Sequence, residues 1–399
     1  MSIIAPRMRR FKASASQNAA MRARAMAADG LDVINLTIGQ PDFPPPEHVR
    51  KAAAAAMADG VVGYTNRDGT PEFKEAIRRK FNRENGLEYA ADEVLATTGA
   101  KAAISCAFLA TLAPGDEVIL PAPFWGAYED LVRLAGGVPV PVSCPQQNGF
   151  RLLPEDLEAA IGPKTKWLSL NSPSNPSGAA YSREDLRALA AVLARHRHVY
   201  VMADDIYEHL LYTGAPLATM ANVAPELFSR TLTINGVSKA YSMTGFRVGF
   251  AGGPRDIVQE MGKLQGQLVS CPSAVGQRAA LAALDGPQDI VEERRQIMRG
   301  RRDIMVAALN EAGLPCHAPE GAMYVYPSVA SAIGARTPSG KRLVDDVALT
   351  DYLVEEAHVA VVQGTSYGLS PHVRVSYAAP RERLEEAGQR IASAMARLV

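Results

Sequence analysis

The feature that most constrains this chain is an alternation. Short runs of four or five residues at 93–97, 117–121, 167–170, 199–203, 231–235 and 248–251 read as strands, with helical stretches between them. Gly99 opens an alanine-rich helix that runs to Leu112, and residues 127–135 and 183–195 read as further helices. Two more helices are expected earlier, at 47–59 and 71–85. The runs 167–170 and 199–203 are apolar and bounded by polar or turn residues, as buried strands are. Strand–helix alternation of this kind predicts an α/β sheet covered on both faces.

After about residue 290 the pattern changes. Residues 290–312 read as one long, charged amphipathic helix, followed by short strands at 322–326, 359–362 and 373–376 and a last helix at 381–398. This predicts a smaller α+β domain. Residues 336–342 contain Pro, Ser and Gly and are expected to form an exposed loop. No repeat of 20–50 residues marks a solenoid. No Pro-, Gly- or Ser-rich linker divides the chain, so the domains are expected to pack closely.

Composition narrows the function classes. At 399 residues the chain is too long for one ordinary core and suits two domains. Lys plus Arg and Asp plus Glu both number 42, so the net charge is zero and gives no electrostatic case for nucleic acid or membrane. The basic clusters 7–10 and 299–302 read as solvated or ion-paired faces. The four cysteines, Cys106, Cys144, Cys271 and Cys316, form no C-x-x-C pair and no zinc spacing. No metal and no disulfide is therefore expected, and a reducing cytoplasm fits. Residues 1–12 are basic without an apolar core, which predicts no secretory signal. The small-apolar run 102–113 falls far short of the ~20 residues a membrane span needs.

Open α/β sheets bind ligands in the loops beyond the carboxyl ends of their strands, and here those loops carry unusual residues. Segment 238–249 holds Lys239 and Arg247 eight apart around glycine. Asp204 follows strand 199–203, with Tyr207 three residues on. Asn171-Ser172-Pro173-Ser174-Asn175-Pro176-Ser177-Gly178 follows strand 167–170, and Thr97-Thr98-Gly99-Ala100-Lys101 joins a strand to a helix N-terminus, where free N–H groups favour phosphate. Singly, each has an ordinary explanation: a surface lysine, a helix N-cap aspartate, a turn.

Taken together and in this order, they resemble the class I aminotransferases, fold-type I pyridoxal-phosphate enzymes, and most of all the bacterial aspartate aminotransferase branch. The resemblance runs from about Ser14 to the C-terminus. It implies an α/β fold with a large domain built on a mostly parallel seven-stranded sheet, plus a smaller α+β domain. Residues 1–45 would be an N-terminal arm and part of the small domain, 46–290 the large cofactor-binding domain, and 291–399 the small domain.

The resemblance also implies roles. Lys239 would carry pyridoxal 5'-phosphate as a Schiff base and move a proton at the substrate Cα. Asp204 would keep the pyridine nitrogen protonated, maintaining the ring as an electron sink. Tyr207 and Asn175 would hydrogen-bond the cofactor's 3-oxygen. Gly99, Ala100 and Lys101 would offer backbone N–H groups to the phosphate, with Ser238 and Arg247 adding side-chain contacts. Trp125 would stack on the ring. Arg374 would grip the substrate carboxylate with a bidentate fork, and Gly39 would let the backbone approach it. Tyr64 would reach the phosphate of a neighbouring subunit, which implies a homodimer with shared sites.

Several positions depart from the branch. Gly236 stands where some relatives have serine, Ser16 where threonine is usual, Gln17-Asn18 where relatives are more apolar, and Gln40 where an acidic residue is common. All but Gly236 lie near the expected substrate side chain. The implied reaction is ping-pong amino transfer between an L-amino acid, aspartate first, and a 2-oxo acid, 2-oxoglutarate first, with Lys101 a candidate for the distal carboxylate. An aromatic, prephenate or broad-specificity aminotransferase is the alternative, as is a lyase of the same fold. A ligand-sensing regulator would need a DNA-binding domain for which the fold leaves no residues.

Overall fold

The computed structural model describes residues 3–399; Met1 and Ser2, part of the expected N-terminal arm, lie outside the described residues. After a helix at Ala15–Ala28 comes the short strand β1 (Ile34–Asn35). Seven strands then build the central sheet: β2 (Val94–Thr97), β3 (Glu117–Ala122), β4 (Val138–Ser143), β5 (Thr165–Asn171), β6 (Tyr200–Asp204), β7 (Thr231–Gly236) and β8 (Gly249–Gly252). Their order is β2-β8-β7-β6-β5-β3-β4. Only β8 runs against its neighbours, β2 and β7; every other pair is parallel, as expected.

The alternation of side chains explains why these runs are apolar throughout. Val118, Leu120, Trp167 and Met202 enter one core, beneath the helices Ala100–Thr111 and Arg255–Val269. Their neighbours Ile119, Leu168, Leu170 and Val201 point the other way, into a core with Leu189 and Leu193 of the helix Arg183–Arg195. With both faces covered, a polar side chain on a central strand is costly unless it finds a partner. Helix ends follow local chemistry. Ser182 and Asp185 form a reciprocal capping box at Arg183–Arg195. Helix Pro71–Asn85 starts at Thr70, which accepts from Phe73 N, and stops at Gly86, whose φ of 62° only glycine adopts readily.

Strand β4 is not marked in the sequence reading. It contains Pro139 and Pro141, which lack the N–H that a central strand needs. It sits at the sheet edge and pairs with β3 alone, where the missing donors cost little. The helix Ala274–Asp285 is also unmarked. It is buried at Ala274, Gly276, Gln277, Ala279, Ala280, Ala283 and Leu284, so it shows no polar stripe. Helices Ala15–Ala28, Arg255–Val269 and Asp346–Glu356 are further elements beyond that reading.

The second part is smaller. Strands β9 (Tyr324–Val325), β10 (Val359–Ala360), β11 (Val362–Gln363) and β12 (Val373–Ser376) are shorter than the sequence suggested, except β12. Order β11-β12-β9 forms an antiparallel sheet, while β10 pairs in parallel with β1, tying the N-terminal segment to the C-terminal part. The long helix Asp289–Glu311 and the last helix Arg381–Met395 bury Met298, Met305, Leu309, Leu384 and Ile391 in one core with Tyr324 and Val375. Arg336 and Arg342 bridge across the predicted loop at 336–342.

Candidate active site

A cavity of about 470 Å³ opens beyond the carboxyl ends of β5, β6 and β7, beside the N-terminus of helix Ala100–Thr111. It brings together Gly39, Ala100, Lys101, Trp125, Asn175, Asp204, Tyr207, Ser238, Lys239, Arg247 and Arg374, from segments up to 335 positions apart in the chain.

Lys239 follows β7, and its amine donates to the carbonyl of Gly39 at 2.6 Å. It lies 5.6 Å from the centre of the Tyr207 ring. Burial, then the positive charges of Arg374 and Arg247, lower its pKa to about 8, against the pull of Asp204. The amine therefore gives up its proton more readily than an ordinary lysine, as a nucleophile or base must.

Asp204 ends β6 and is 4% exposed. Burial raises its pKa to about 6, although the Tyr128 hydroxyl donates to it at 2.5 Å and the Ile206 N–H at 3.3 Å. The carboxylate faces a cavity otherwise lined by cations: Arg24, Lys101, Lys239, Arg247 and Arg374.

Arg374, on β12, is buried, with its guanidinium 4.5 Å from the Tyr324 ring centre and 5.1 Å from that of Tyr367. It donates to Asn175 Oδ1 at 3.0 Å and to the Thr37 carbonyl. Among the described residues no carboxylate pairs with it, and its Nε has no partner. A buried guanidinium held only by neutral oxygens is a site for a carboxylate. Gly39 stands across from it, where a Cβ would overlap the Tyr324 hydroxyl. That hydroxyl meets the hydroxyl of Tyr207 at 2.9 Å.

The helix Ala100–Thr111 starts at Gly99 with no side chain capping it. Gly99 has φ 86°, and a Cβ there would lie 2.6 Å from Arg247 Nη2. A Cβ on Gly249 would strike Ala100 N. The two glycines therefore keep the helix N-terminus bare and let Arg247 lie against it, while Arg247 itself donates only to the Thr244 carbonyl. Uncapped amides plus an arginine without a carboxylate form a cradle for a phosphate. An amine, a carboxylate and an anion cradle around one cavity suit a phosphorylated, basic, carbonyl-bearing ring.

The family model for aminotransferase class I and II matches residues 31–391. The chain belongs to the class I and II aminotransferase family. It is 53% identical to an aspartate aminotransferase of Rhizobium meliloti (strain 1021), over 94% of this chain and 92% of the relative. It is 49% identical to an aspartate/prephenate aminotransferase of Cereibacter sphaeroides, over 98% of each. The crystal structure of an aspartate aminotransferase from Rhizobium meliloti superposes with a TM-score of 0.97 at 50% identity, covering 100% of both chains.

This aminotransferase uses residues that the sequence reading did not single out. Tyr128, Tyr324 and the Thr37 carbonyl each touch a site residue, yet lie 76, 117 and 337 positions from their partners. Trp125 lies beneath the Lys101 amine, 5.0 Å from its ring centre, and Lys101 has its pKa lowered by burial first and then by Arg247. Tyr64 is not in the cavity; it is 91% exposed. No helix among the described residues is long and apolar enough to cross a membrane.

Proposed function

We propose that this aminotransferase carries pyridoxal 5'-phosphate on Lys239 and moves an amino group between aspartate and 2-oxoglutarate by a ping-pong mechanism. The observation that carries the reading is the buried Lys239 amine, set in one cavity with the Asp204 carboxylate and an Arg374 guanidinium bonded only to neutral oxygens. When bound, the cofactor supplies a sink for the electron pair left by breaking the Cα–H bond.

The chain's own residues do the rest. The N–H groups of Ala100 and Lys101, with Ser238 and Arg247, would hold the phosphate; the Gly99 N–H, expected to join them, is instead bonded to the Thr97 carbonyl at 2.7 Å. Asp204 would hold a proton on the ring nitrogen, and Tyr207 and Asn175 would donate to the ring oxygen. Trp125 would cover the ring face. Arg374 and the Gly39 backbone would fix the substrate carboxylate, leaving the Lys239 amine to take and return the Cα proton.

With Lys239 and Arg247 given to the cofactor, Arg24, Lys101 and Arg374 remain as cations of the cavity, and they favour substrates with two carboxylates. Lys101 is the candidate for the distal one. The names of the relatives favour aspartate, and the Cereibacter name adds prephenate, a 2-oxo acid, as a second acceptor. We read the chain as residues 1–45, 46–290 and 291–399, as outlined above, in a cytoplasmic homodimer. Exposed Val62, Tyr64, Leu268 and Val269 favour an interface there, with Thr65 N bonded to Cys271 Sγ at 3.4 Å joining the two segments.

The test is the absorption spectrum of purified protein. A visible band that bleaches with aspartate and returns with 2-oxoglutarate supports the full reading. A band unmoved by aspartate but bleached by an aromatic donor or restored by prephenate selects the second class. A band with no stoichiometric pyridoxamine phosphate from any donor selects a lyase. No band after reconstitution sinks the cofactor assignment.

A further inference from the structure

Two arginines of the helix Asp289–Glu311 hold the segment that carries Gly39. Arg301 makes a two-pronged pair with Asp42, at 2.6 and 2.9 Å. The ring of Phe43 is contacted by the guanidinium groups of Arg301, 5.0 Å away, and Arg294, 5.2 Å away. Arg294 is 7% exposed and bonds no carboxylate among the described residues. It donates instead to the Pro44 carbonyl at 2.5 Å and to Ser242 Oγ at 3.2 Å.

Those two acceptors belong to different parts of the site. Pro44 lies five residues after Gly39, and Ser242 three residues after Lys239, at a φ of 55°. Because the Lys239 amine itself donates to the Gly39 carbonyl, the contacts close a ring. It runs from Lys239 through Gly39 and the chain to Pro44, across Arg294 to Ser242, and back along the chain to Lys239.

A buried guanidinium whose donors reach only neutral oxygens, with Glu293 and Asp42 acting on it through space alone, is a poor way to stabilise a fold, since an apolar side chain of similar length would pack there without desolvating a charge. We infer that Arg294 is a positioning residue that locks the Lys239 loop to the Gly39 segment, with Arg301, Asp42 and Phe43 as its brace. It thereby sets the distance between the proton-transferring amine and the backbone that receives the substrate carboxylate. This rests on the proposed role of Lys239.

Arg294→Met keeps the stem and removes both donors; Arg294→Lys keeps the charge and reaches one acceptor at a time. In the holoenzyme, Arg294→Met is expected to lower kcat about ten- to a hundredfold, in the range that small misplacements of reacting groups produce, with Tm unchanged or raised. Arg294→Lys is expected to recover part of kcat. A second readout needs no cofactor. In the cofactor-free protein, reductive methylation of Lys239 by formaldehyde and cyanoborohydride, followed by peptide mass, is expected to run at least threefold faster in Arg294→Met, because the amine is released from Gly39. Wild-type kcat together with wild-type labelling overturns the inference. So does a fall in kcat that only tracks a fall in Tm, with labelling unchanged. A Lys239→Ala variant that still turns over sinks the role of Lys239 instead, and the labelling rate alone then decides the lock.

Discussion

The hydroxyl of Tyr128 donates to the carboxylate of Asp204 at 2.5 Å, at a position where burial alone would hold that carboxylate protonated. The bond works against burial and keeps the pKa at about 6 rather than higher. Hydrogen bonds to charged groups contribute about 1.5–3 kcal/mol. Tyr128→Phe is therefore expected to raise the Asp204 pKa and move the acid limb of the kcat/KM profile upward. The loss should be about tenfold near pH 6.5, given that energy, and smaller near pH 8.5. An acid limb that stays in place removes Tyr128 from the control of Asp204.

Asp204→Asn separates function from stability. Activity is expected to fall by orders of magnitude, because a neutral amide cannot hold a proton on the ring nitrogen. Stability of the cofactor-free protein should move the other way. The folded-state pKa of Asp204 is raised, so the folded protein binds this proton more tightly than the unfolded chain does. That contribution is full at pH below the ordinary carboxylate value and is lost as pH rises through about 6. At pH 7.5 the asparagine variant should match or exceed the wild type by on the order of 1–3 kcal/mol in urea unfolding, and the gain should shrink toward pH 4. A variant equally destabilised at both pH values would mean that Asp204 is held as a structural carboxylate.

How far the site was legible in the sequence depended on distance along the chain. Lys239, Asp204, Tyr207, Asn175 and Arg247 sit in short segments at strand ends, and the sheet order brings those ends to one cavity. Tyr128 and Tyr324 carry no such signature. Their roles arise only where helix Ala127–Leu134 and β9 fold back on the cavity, and as single tyrosines they read as core. Arg294 and Arg301 are similar: in sequence they are charges on an amphipathic helix, and only burial reveals them. Among the strands, β4 was hidden because its prolines argue against a strand unless its edge position is known.

Lys239 should titrate low. Its pKa of about 8 means that, in the cofactor-free protein, its labelling by an amine reagent should rise with pH through a midpoint near 8. Ordinary lysines titrate near 10.4. Arg374→Ala should shift the midpoint upward, since that positive charge is one of the causes of the lowering. Measuring peptide masses across pH 6–11 tests both, and a midpoint at the ordinary value would contradict the burial of the amine.

A buried ion pair supports the loop beyond Asp204. Lys80, with a side chain 1% exposed, pairs with Glu208, donates to Asn85 Oδ1 at 2.7 Å and lies 3.5 Å from Glu84. Glu84, Glu208 and His209 have ligand atoms within 4.8 Å of one another, and the Lys80 ammonium supplies the positive charge there. Because Glu208 follows Tyr207, helix Pro71–Asn85 anchors the loop that presents the site. Lys80→Met should destabilise by about 3–5 kcal/mol by taking the ammonium away from the buried Glu208, which keeps only Asn85 Nδ2 at 2.8 Å and His209 Nδ1 at 3.6 Å. The double variant Lys80→Met with Glu208→Leu should regain much of that loss. Additive losses in urea unfolding would show that the two charges are not coupled.

Arg374 lines the cavity with its guanidinium close to the Tyr324 and Tyr367 rings, so its shape matters as much as its charge. Arg374→Lys retains a cation but loses the planar stack and the two parallel donors. It is expected to raise KM for the amino donor and to lower kcat/KM by about 10- to 100-fold, the size of one lost charge-assisted hydrogen bond. Tyr324→Phe makes the informative comparison. It keeps the ring over Arg374 and removes only the hydroxyl that meets Tyr207, so KM should stay near wild type while kcat falls modestly. If Tyr324→Phe raises KM as much as Arg374→Lys does, the Tyr324 hydroxyl itself must contact the substrate, and the carboxylate site must include it.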